Sequence, residues 1–202
     1  MPVDSLLTAA ILVGGQSRRM GVNKALLLIA PDGTTVVESV VRKVRQVADE
    51  IVLVGADNVV ADYAFLDLPW IADIVPGIGP LGGIHAALIE TGNPHLLVTA
   101  CDMPFLNVSL LRYMAARLRD YDVLVPVLGQ AQPLHAIYAR TCLPLIEESL
   151  QSGRYKVSGW FDRANVRTIE QSVVERYDPD LRSSFNVNTP EDLAVARKLW
   201  AD

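Results

Sequence analysis

Short apolar runs alternate along the chain with stretches whose apolar residues recur at helical spacing. The first run, residues 7–13, is mostly apolar and stops at two glycines, which predicts a buried strand followed by a turn. Residues 36–47 place valines on one side of a helix, although β-branched residues have a modest helix propensity. Further strands are predicted at 51–54, 70–74, 95–99, 123–127 and 134–139, and further helices at 80–89 and 142–150.

Two more helices are predicted from residues that favour helix starts. Asn107 has a side chain that accepts hydrogen bonds from the first turn of a following helix. Near the C-terminal end, Thr189 is a candidate N-cap, Pro190 suits the first helical position, and Asp192 lies three residues after the cap. The helix that follows Thr189 is the last element predicted.

The alternation of strands and helices predicts parallel β-α-β units, and hence an α/β fold with a three-layer, doubly wound, mostly parallel sheet. We interpret residues 1–202 as one domain, because no linker, repeat or low-complexity segment interrupts the pattern. In such sheets ligands bind outside the carboxyl ends of the strands. The loops after Val13, Val54, Ile71 and Ala100 are therefore the predicted ligand-binding region.

Composition narrows the classes of partner. With 50% hydrophobic and 20% charged residues, the chain is similar to ordinary water-soluble globular proteins. Its net charge of −5 and its lack of a long Lys/Arg run argue against binding along a nucleic-acid backbone. No apolar run approaches the ~20 residues of a membrane span, and the N-terminal run lacks the basic flank of a secretory signal. We therefore expect a cytoplasmic protein with neither a nucleic-acid nor a membrane partner.

The loop after the first strand brings positive charge beside glycines. Gly14 and Gly15 allow the backbone to approach a phosphate, and Arg18, Arg19 and Lys24 add three cations to an otherwise acidic chain. The spacing fits neither the P-loop, in which a glycine precedes the lysine, nor the dinucleotide fingerprint G-x-G-x-x-G. The loop predicts an anion site of another kind or, in the alternative interpretation, a glycine turn with a solvated basic patch.

A carboxylate follows another buried strand. Asp102 comes shortly after the apolar run 95–99, and a carboxylate in a mostly apolar setting is costly unless it is paired or binds a metal. Because Mg²⁺ is usually held by one or two carboxylates together with substrate phosphates, Asp102 is the best candidate metal ligand. The alternative is an aspartate that caps a helix.

Glycines also cluster before the helix predicted at 80–89. Gly79 and Pro80 predict a tight entry into that helix, and Gly82 with Gly83 allows a ligand or another backbone to approach closely. A packing turn before an ordinary helix explains the same residues without any function.

Residues 12–24 resemble the signature loop of nucleotidyltransferases of the molybdenum cofactor guanylyltransferase family, whose usual form is L-A-G-G-x-S-x-R-M-G-x-x-K. Val13 replaces the usual alanine, and Asn23 stands where an aspartate often precedes the lysine, which leaves Lys24 without a neighbouring carboxylate. Segments similar to the family's G-P-L-x-G, C-D-x-P, Q-P-L-x-A-L-Y and N-x-N-T-P-E motifs lie at 79–83, 101–104, 132–138 and 186–191. The resemblance covers nearly the whole chain, from near residue 7 to near residue 199.

This resemblance implies a Rossmann-like nucleotidyltransferase fold and a reaction in which the phosphate of Mo-molybdopterin attacks the α-phosphorus of GTP and pyrophosphate leaves. It implies that Mg²⁺ on Asp102 bridges the triphosphate, while Arg19 and Lys24 stabilise the charge on the leaving pyrophosphate. Asn186 and Asn188 would face the second, pterin-side substrate. The implied nucleotide-binding residues are Leu12, Val13, Gly14, Gly15, Lys24, Gly55, Asp73, Gly79, Pro80, Leu81 and Asp102.

The choice of base and the class of activity stay open at the level of sequence. The family often has an asparagine near the base where this chain has Gly55, so a base contact there would have to come from the backbone. The loop at 12–24 alone is shared with cytidylyl- and uridylyltransferases, so a CTP-using or sugar nucleotidylyltransferase is one alternative. A non-catalytic protein that binds a nucleotide or the cofactor is another. Because the acceptor is labile, a partner protein that delivers or receives the molybdenum cofactor is a further expectation.

Overall fold

Strands and helices alternate through most of the chain, of which the computed structural model describes residues 6–13, 23–73, 77–117 and 121–201. The described strands are β1 Leu7–Leu12, β2 Glu50–Gly55, β3 Trp70–Ala72, β4 His95–Ala100, β5 Val123–Leu128, β6 Gln130–Ala131, β7 His135–Ala139 and β8 Val166–Ile169. The described α-helices are α1 Val36–Val44, α2 Pro80–Glu90, α3 Val108–Ala115, α4 Leu143–Gln151, α5 Gln171–Val174 and α6 Pro190–Ala201. Segments of 3₁₀ helix lie at Lys24–Leu26, Asp57–Leu66, Arg140–Cys142, Phe161–Arg163 and Arg182–Ser184.

The strands form one sheet in the order β3-β2-β1-β4-β7-β5-β6, with β8 also paired to β5. Strands β1 to β4 are mutually parallel, and β8 runs parallel to β5. The chain moves outward from β1 to β3 and then returns past β1 to β4, which is the reversal of strand order that defines a doubly wound sheet. The predicted α/β fold is confirmed.

Strands β6 and β7 are the exceptions, because β7 runs antiparallel to both β4 and β5 and β6 runs antiparallel to β5. A uniform succession of parallel β-α-β units is therefore wrong for this part of the chain. The physical reason is the connection: β5, β6 and β7 follow one another without a helix, and such short connections join antiparallel neighbours only.

Helices cover both faces of the sheet and produce the three predicted layers. Along β1, Ala9 and Ile11 point to the apolar cluster on the side of α1 and α3, whereas Ala10 and Leu12 point to the cluster on the side of α2 and α4. A third, smaller cluster packs α6 against α1 through Val36, Val187, Leu193 and Ala196. No helix among the described residues combines the length and the apolar character that crossing a bilayer requires.

The predicted helix caps are confirmed. Asn107 accepts a hydrogen bond through Oδ1 from the backbone N–H of Leu110 at 3.0 Å, at the start of α3. Thr189 Oγ1 accepts from Asp192 N at 3.1 Å, and Asp192 Oδ2 accepts from Thr189 N at 2.8 Å, which forms a reciprocal cap before α6.

Backbone hydrogen bonds continue the sheet pairing one residue past the strand ends. They run from Val13 N to Val54 O at 2.8 Å, from Cys101 N to Leu12 O at 3.1 Å and from Asp73 N to Gly55 O at 2.8 Å. The carboxyl ends of β1, β2, β3 and β4 therefore lie side by side at one edge of the sheet, where a ligand site is expected in this fold.

Candidate active site

The charged centre of the carboxyl edge is formed by Lys24, Asp102 and Asn188. Lys24 Nζ lies 3.1 Å from Asp102 Oδ2 and donates a hydrogen bond of 2.6 Å to Asn188 Oδ1. The Lys24 and Asp102 side chains are 19% and 17% exposed, so the pair is shielded but still open to a ligand. The contacts unite three segments that the sequence singled out separately.

Each member of this centre is held by local structure. Asn23 precedes the 3₁₀ turn Lys24–Leu26 and caps it, since its Oδ1 accepts from Ala25 N at 3.3 Å. Asp102 follows β4 directly, and its carbonyl oxygen accepts from Val187 N at 2.9 Å. That last bond holds the C-terminal segment against the end of β4.

Asn188 is oriented by the cap of α6. Its backbone N–H donates to Asp192 Oδ2 at 2.9 Å, and this hydrogen bond is the main cause that lowers the pKa of the Asp192 carboxyl. Asn186 differs from its neighbour, because its Nδ2 donates to the carbonyl of Ser184 at 3.2 Å. The structure thus brings the Asn188 side chain into contact with Lys24, whereas the Asn186 side chain, two residues earlier, bonds to its own segment.

A cleft of about 690 Å³ lies beside this segment. Its lining combines hydrogen-bonding groups, one cation and apolar side chains: Arg182, Ser184, Asn186, Asn188, Asp192, Leu181, Phe185, Leu199 and Asp180. Arg182 Nε forms an ion pair with Asp180 Oδ2 at 3.2 Å. The cleft is large enough for a heterocyclic ligand, and both predicted second-substrate residues face it.

The start of α2 approaches the edge from the side of β3. Gly79 has a φ of +86°, a left-handed conformation that glycine adopts without strain, and Pro80 occupies the first helical turn. A Cβ at Gly82 would lie 2.7 Å from Asp73 Oδ1, so the absence of a side chain there makes room for the carboxylate. Asp73 is therefore seated over the first turn of α2, and the group that approaches Gly82 is a side chain rather than the ligand or backbone that the sequence predicts there.

Other predicted nucleotide-binding residues offer only their backbones. Leu12, Val13 and Leu81 have side chains that are buried in the core. Gly55 has no room for a side chain, because a Cβ there would lie 2.3 Å from the carbonyl oxygen of Val13. Any ligand contact by these positions must come from N–H and C=O groups.

Three predicted site residues, Gly14, Gly15 and Arg19, lie outside the described residues. Their proposed roles stay predictions.

The expectation that Lys24 lacks a neighbouring carboxylate holds along the chain but is wrong in space. Asp102 supplies that carboxylate from a strand end 78 residues away in sequence. Among the described residues no group of three or more His, Cys, Asp or Glu side chains converges. A cation at Asp102 would therefore need most of its ligands from substrate and water.

Sequence reasoning missed two residues that contact the site. Tyr63, on the 3₁₀ segment Asp57–Leu66, pairs with Asn23, which lies 40 residues earlier in the chain. Arg182 lines the cleft beside Asn186. Neither residue belongs to a motif, so only the folded arrangement identifies them.

A doubly wound sheet whose carboxyl edge presents glycine turns and a lysine–carboxylate pair is the architecture of an enzyme that works on nucleotide phosphates. Comparison with known proteins agrees with that class. The chain belongs to the family of MobA-like NTP transferase domains, whose sequence model matches residues 9–167. It is thus a nucleotidyltransferase.

Relatives with names and solved structures match the chain over nearly its whole length. A protein of Pelotomaculum thermopropionicum, named a probable molybdenum cofactor guanylyltransferase, is 39% identical over 94% of this chain and 91% of its own. The molybdenum cofactor guanylyltransferase of Desulfosudis oleivorans is 37% identical over 94% of each chain. The crystal structure of molybdopterin-guanine dinucleotide biosynthesis protein A from Archaeoglobus fulgidus superimposes with a TM-score of 0.82 at 30% identity, covering 96% of this chain and 98% of that one.

Proposed function

We propose that this nucleotidyltransferase transfers GMP from GTP to the phosphate of Mo-molybdopterin, which yields the guanine dinucleotide form of the cofactor and pyrophosphate. The observation that carries the proposal is the convergence of Lys24, Asp102 and Asn188 from three separate motifs. The names of the relatives support the choice of GTP and of the pterin acceptor.

In this reaction an oxygen of the pterin phosphate forms a bond to the α-phosphorus of GTP, and the bond from that phosphorus to the bridging oxygen of the β-phosphate breaks. The electron pair leaves with pyrophosphate. The attacking phosphate is already anionic at neutral pH, so the protein needs no general base. Its tasks are to position two substrates and to neutralise charge.

Lys24 supplies a positive charge to the phosphates in this proposal. A lysine ammonium has three N–H donors, and two of them point to Asp102 and Asn188. The third donor is the one that would reach a phosphate oxygen. Arg19, which lies outside the described residues, would add a second cation to the leaving pyrophosphate.

The residues at the edge fit a magnesium site that is completed by substrate. Asp102 uses one carboxylate oxygen for Lys24, which leaves the other for a hard cation. One carboxylate is a poor site for a metal that needs a full protein shell, but it suits Mg²⁺, which keeps waters and phosphate oxygens. When bound, Mg²⁺ would offset the negative charge of the triphosphate.

The nucleotide is held chiefly by backbone in this proposal. The strand end at Leu12 and Val13, the glycines of the following loop, Gly55 and the turn 79–81 would contact ribose, phosphates and base, while Asp73 approaches the nucleoside from the start of α2. Backbone donors bind a phosphate without the conformational freedom of a long side chain, so they fix it firmly.

The second substrate would occupy the cleft lined by Asn186 and Asn188. Side-chain amides offer both donors and acceptors, which matches the mixed hydrogen-bonding edge of a pterin. Because Asn188 also contacts Lys24, the acceptor phosphate would come to lie beside the cation that faces GTP.

We further propose that the reaction takes place in the cytoplasm and that molybdenum cofactor delivery proteins exchange the pterin with this enzyme. Cys101 and Cys142 are not joined by a disulfide bond, which is compatible with a reducing compartment.

A transfer assay with Mo-molybdopterin, Mg²⁺ and each of the four nucleoside triphosphates tests the function. We expect GTP to give the dinucleotide and pyrophosphate. Asp102→Asn should lower kcat by about 100-fold because it removes the carboxylate that would hold Mg²⁺, and Lys24→Met should do so because it removes the positive charge that faces the phosphates. The matched control is Glu148→Gln on α4, which breaks an exposed ion pair with Arg163 and should keep full activity.

Other outcomes would redirect the proposal. A preference for CTP would move the enzyme to the cytidylyl branch of the fold. Tight GTP binding without pyrophosphate release, with authentic acceptor present, would indicate a non-catalytic binding protein. Near-normal transfer by Asp102→Asn in the presence of Mg²⁺ would show that the metal assignment is wrong.

A further inference from the structure

Three of the positions at which this chain departs from the motifs it resembles, Val13, Asn23 and Gly55, are connected through two aromatic side chains. The Trp70 ring lies against Gly55, and the Tyr63 ring packs beside the Trp70 ring. The Asn23 side chain forms a hydrogen bond with the Tyr63 hydroxyl. The departures therefore belong to one continuous contact network along the edge of the sheet.

At one end of this network the Trp70 ring packs over the end of β2 at Gly55. A Cβ at Gly55 would lie 3.0 Å from Trp70 Cη2 and 3.1 Å from Val13 Cγ2. The Trp70 and Tyr63 rings have centroids 6.2 Å apart and planes inclined by 31°. The rings fill the edge beside β2 and place the Tyr63 hydroxyl next to Asn23.

At the other end an amide meets a buried hydroxyl. Tyr63 is 4% exposed, and its hydroxyl oxygen lies 3.1 Å from Asn23 Nδ2 and 3.2 Å from Asn23 Oδ1. An amide offers this hydroxyl both a donor and an acceptor, whereas an aspartate carboxylate would offer acceptors only. Burial raises the pKa of Tyr63, so the hydroxyl keeps its proton at neutral pH.

The same amide controls the backbone that carries Lys24. Asn23 Oδ1 accepts from Ala25 N at 3.3 Å and so caps the short turn that begins with Lys24. A three-residue turn has little stability of its own, so its position depends on what holds the cap. Tyr63 is the described side chain that holds it.

We propose that Tyr63 is a positioning residue for nucleotidyl transfer: its hydroxyl fixes Asn23, and through Asn23 the start of the turn that places the Lys24 ammonium between Asp102 and Asn188. Tyr63 does not touch the reacting atoms. Tyr63 affects the reaction only by positioning Lys24. This inference rests on the proposed function, in which Lys24 faces the phosphates.

The kinetic test compares Tyr63→Phe with the wild-type enzyme in the GMP transfer assay. We expect kcat to fall about tenfold with little change in the KM for GTP, because a displaced ammonium weakens transition-state stabilisation more than ground-state binding. Tyr113→Phe is the matched control. Tyr113 lies on α3 and packs against Tyr177, with ring centroids 4.8 Å apart, so its hydroxyl is not part of the contacts around Asn23. A Tyr63→Phe enzyme with the kcat of Tyr113→Phe would overturn the proposal.

A double-variant comparison separates positioning from a general loss of stability. In a Lys24→Met background, Tyr63→Phe should lower the residual kcat by less than twofold, since no ammonium remains to be placed. A full tenfold loss in that background would show that Tyr63 acts by another route and would contradict the proposal.

A spectroscopic test needs no substrate, and so distinguishes failure of this inference from failure of the proposed function. The sequence has only four lysines, Lys24, Lys43, Lys156 and Lys198, so ¹³C-labelled lysine gives a simple NMR spectrum in which Lys24→Arg assigns the Lys24 signal. Tyr63→Phe should shift or broaden that signal, and Tyr113→Phe should not. An unchanged Lys24 signal in Tyr63→Phe would refute the positioning role even if GMP transfer is confirmed.

Discussion

At the scale of single residues, the end of β2 shows how the lack of one side chain sets the distance between two strand ends. Gly55 lets the carbonyl of Val13 come so close that a Cβ would lie 2.3 Å from it. The neighbouring bond from Val13 N to Val54 O, at 2.8 Å, keeps the two strand ends in register.

Gly55→Ala should be strongly destabilising for that reason. The obstructing atom belongs to the backbone just past the end of β1, so the strand ends must separate, and we expect the free energy of unfolding to fall by about 1 to 3 kcal/mol. Urea denaturation measures it. Gly92→Ala is the control, because no atom lies within 4 Å of the Cβ it would introduce. Equal stabilities of the two variants would show that the strand ends separate freely.

At the scale of elements, the segment that leads into α6 carries both a helix cap and a site residue. Asp192 accepts from the backbone N–H groups of Asn188 and Thr189 at 2.9 and 2.8 Å. The side chain that starts the helix therefore also orients the asparagine that contacts Lys24.

Asp192→Ala should affect the two substrates unequally. Loss of the cap should lower the free energy of unfolding by about 1 kcal/mol. Because the cleft residue Asn188 loses its support, the KM for Mo-molybdopterin should rise while the Kd for GTP, measured by calorimetry, stays within about twofold. Glu191→Ala removes an exposed acidic side chain from the same helix turn and is the control. An equal weakening of both substrates would contradict the assignment of Asn188 to the pterin side.

Elements were predictable from sequence where their pattern is local, and not where it depends on partners. The run at 7–13 and the cap at Thr189 carry their own signals, so β1 and α6 were predicted. β8 spans only four residues with two of them exposed, and α5 also has four, so neither produces a periodic pattern. The antiparallel direction of β7 follows from which strand it pairs with, which periodicity does not encode.

The site residues can also be separated into those that were predictable from the sequence and those that depend on the folded arrangement. The strand-end rule predicted that Lys24 and Asp102 lie at one edge, because it depends on topology alone. That the two side chains touch, and that Asn188 joins them, depends on a segment 164 residues away in sequence from Lys24. Tyr63 left no trace in the sequence, since a buried tyrosine in a 3₁₀ segment is ordinary core.

At the scale of the whole molecule, a buried histidine makes stability depend on pH. His135 begins β7 opposite Thr99 of β4, is fully buried, and has neither ring nitrogen paired with any described residue. Burial lowers the pKa of His135 to about 4, and the charge of Asp178 opposes that shift only partly. The folded protein therefore keeps this ring neutral over a pH range in which the unfolded chain would protonate it.

Acid should destabilise the fold through this ring. The unfolded state binds a proton near the ordinary pKa of 6.5 and the folded state near 4. The contribution of His135 to the free energy of unfolding should therefore be constant well above pH 6.5 and fall by about 3 kcal/mol as the pH drops to 4. Urea denaturation across that range should show a flatter profile for His135→Leu. Identical slopes for wild type and His135→Leu would rule out this origin.

The hydrogen bond between Lys24 and Asn188 also determines when the site can be completed during synthesis on the ribosome. The two residues are separated by 164 positions, which take on the order of 10 to 30 s to translate. During that interval β1 to β4 are synthesised, so Lys24 can pair with Asp102 but not yet with Asn188. We expect nascent chains that end before residue 188 to be inactive, so that activity first appears only when synthesis is almost finished.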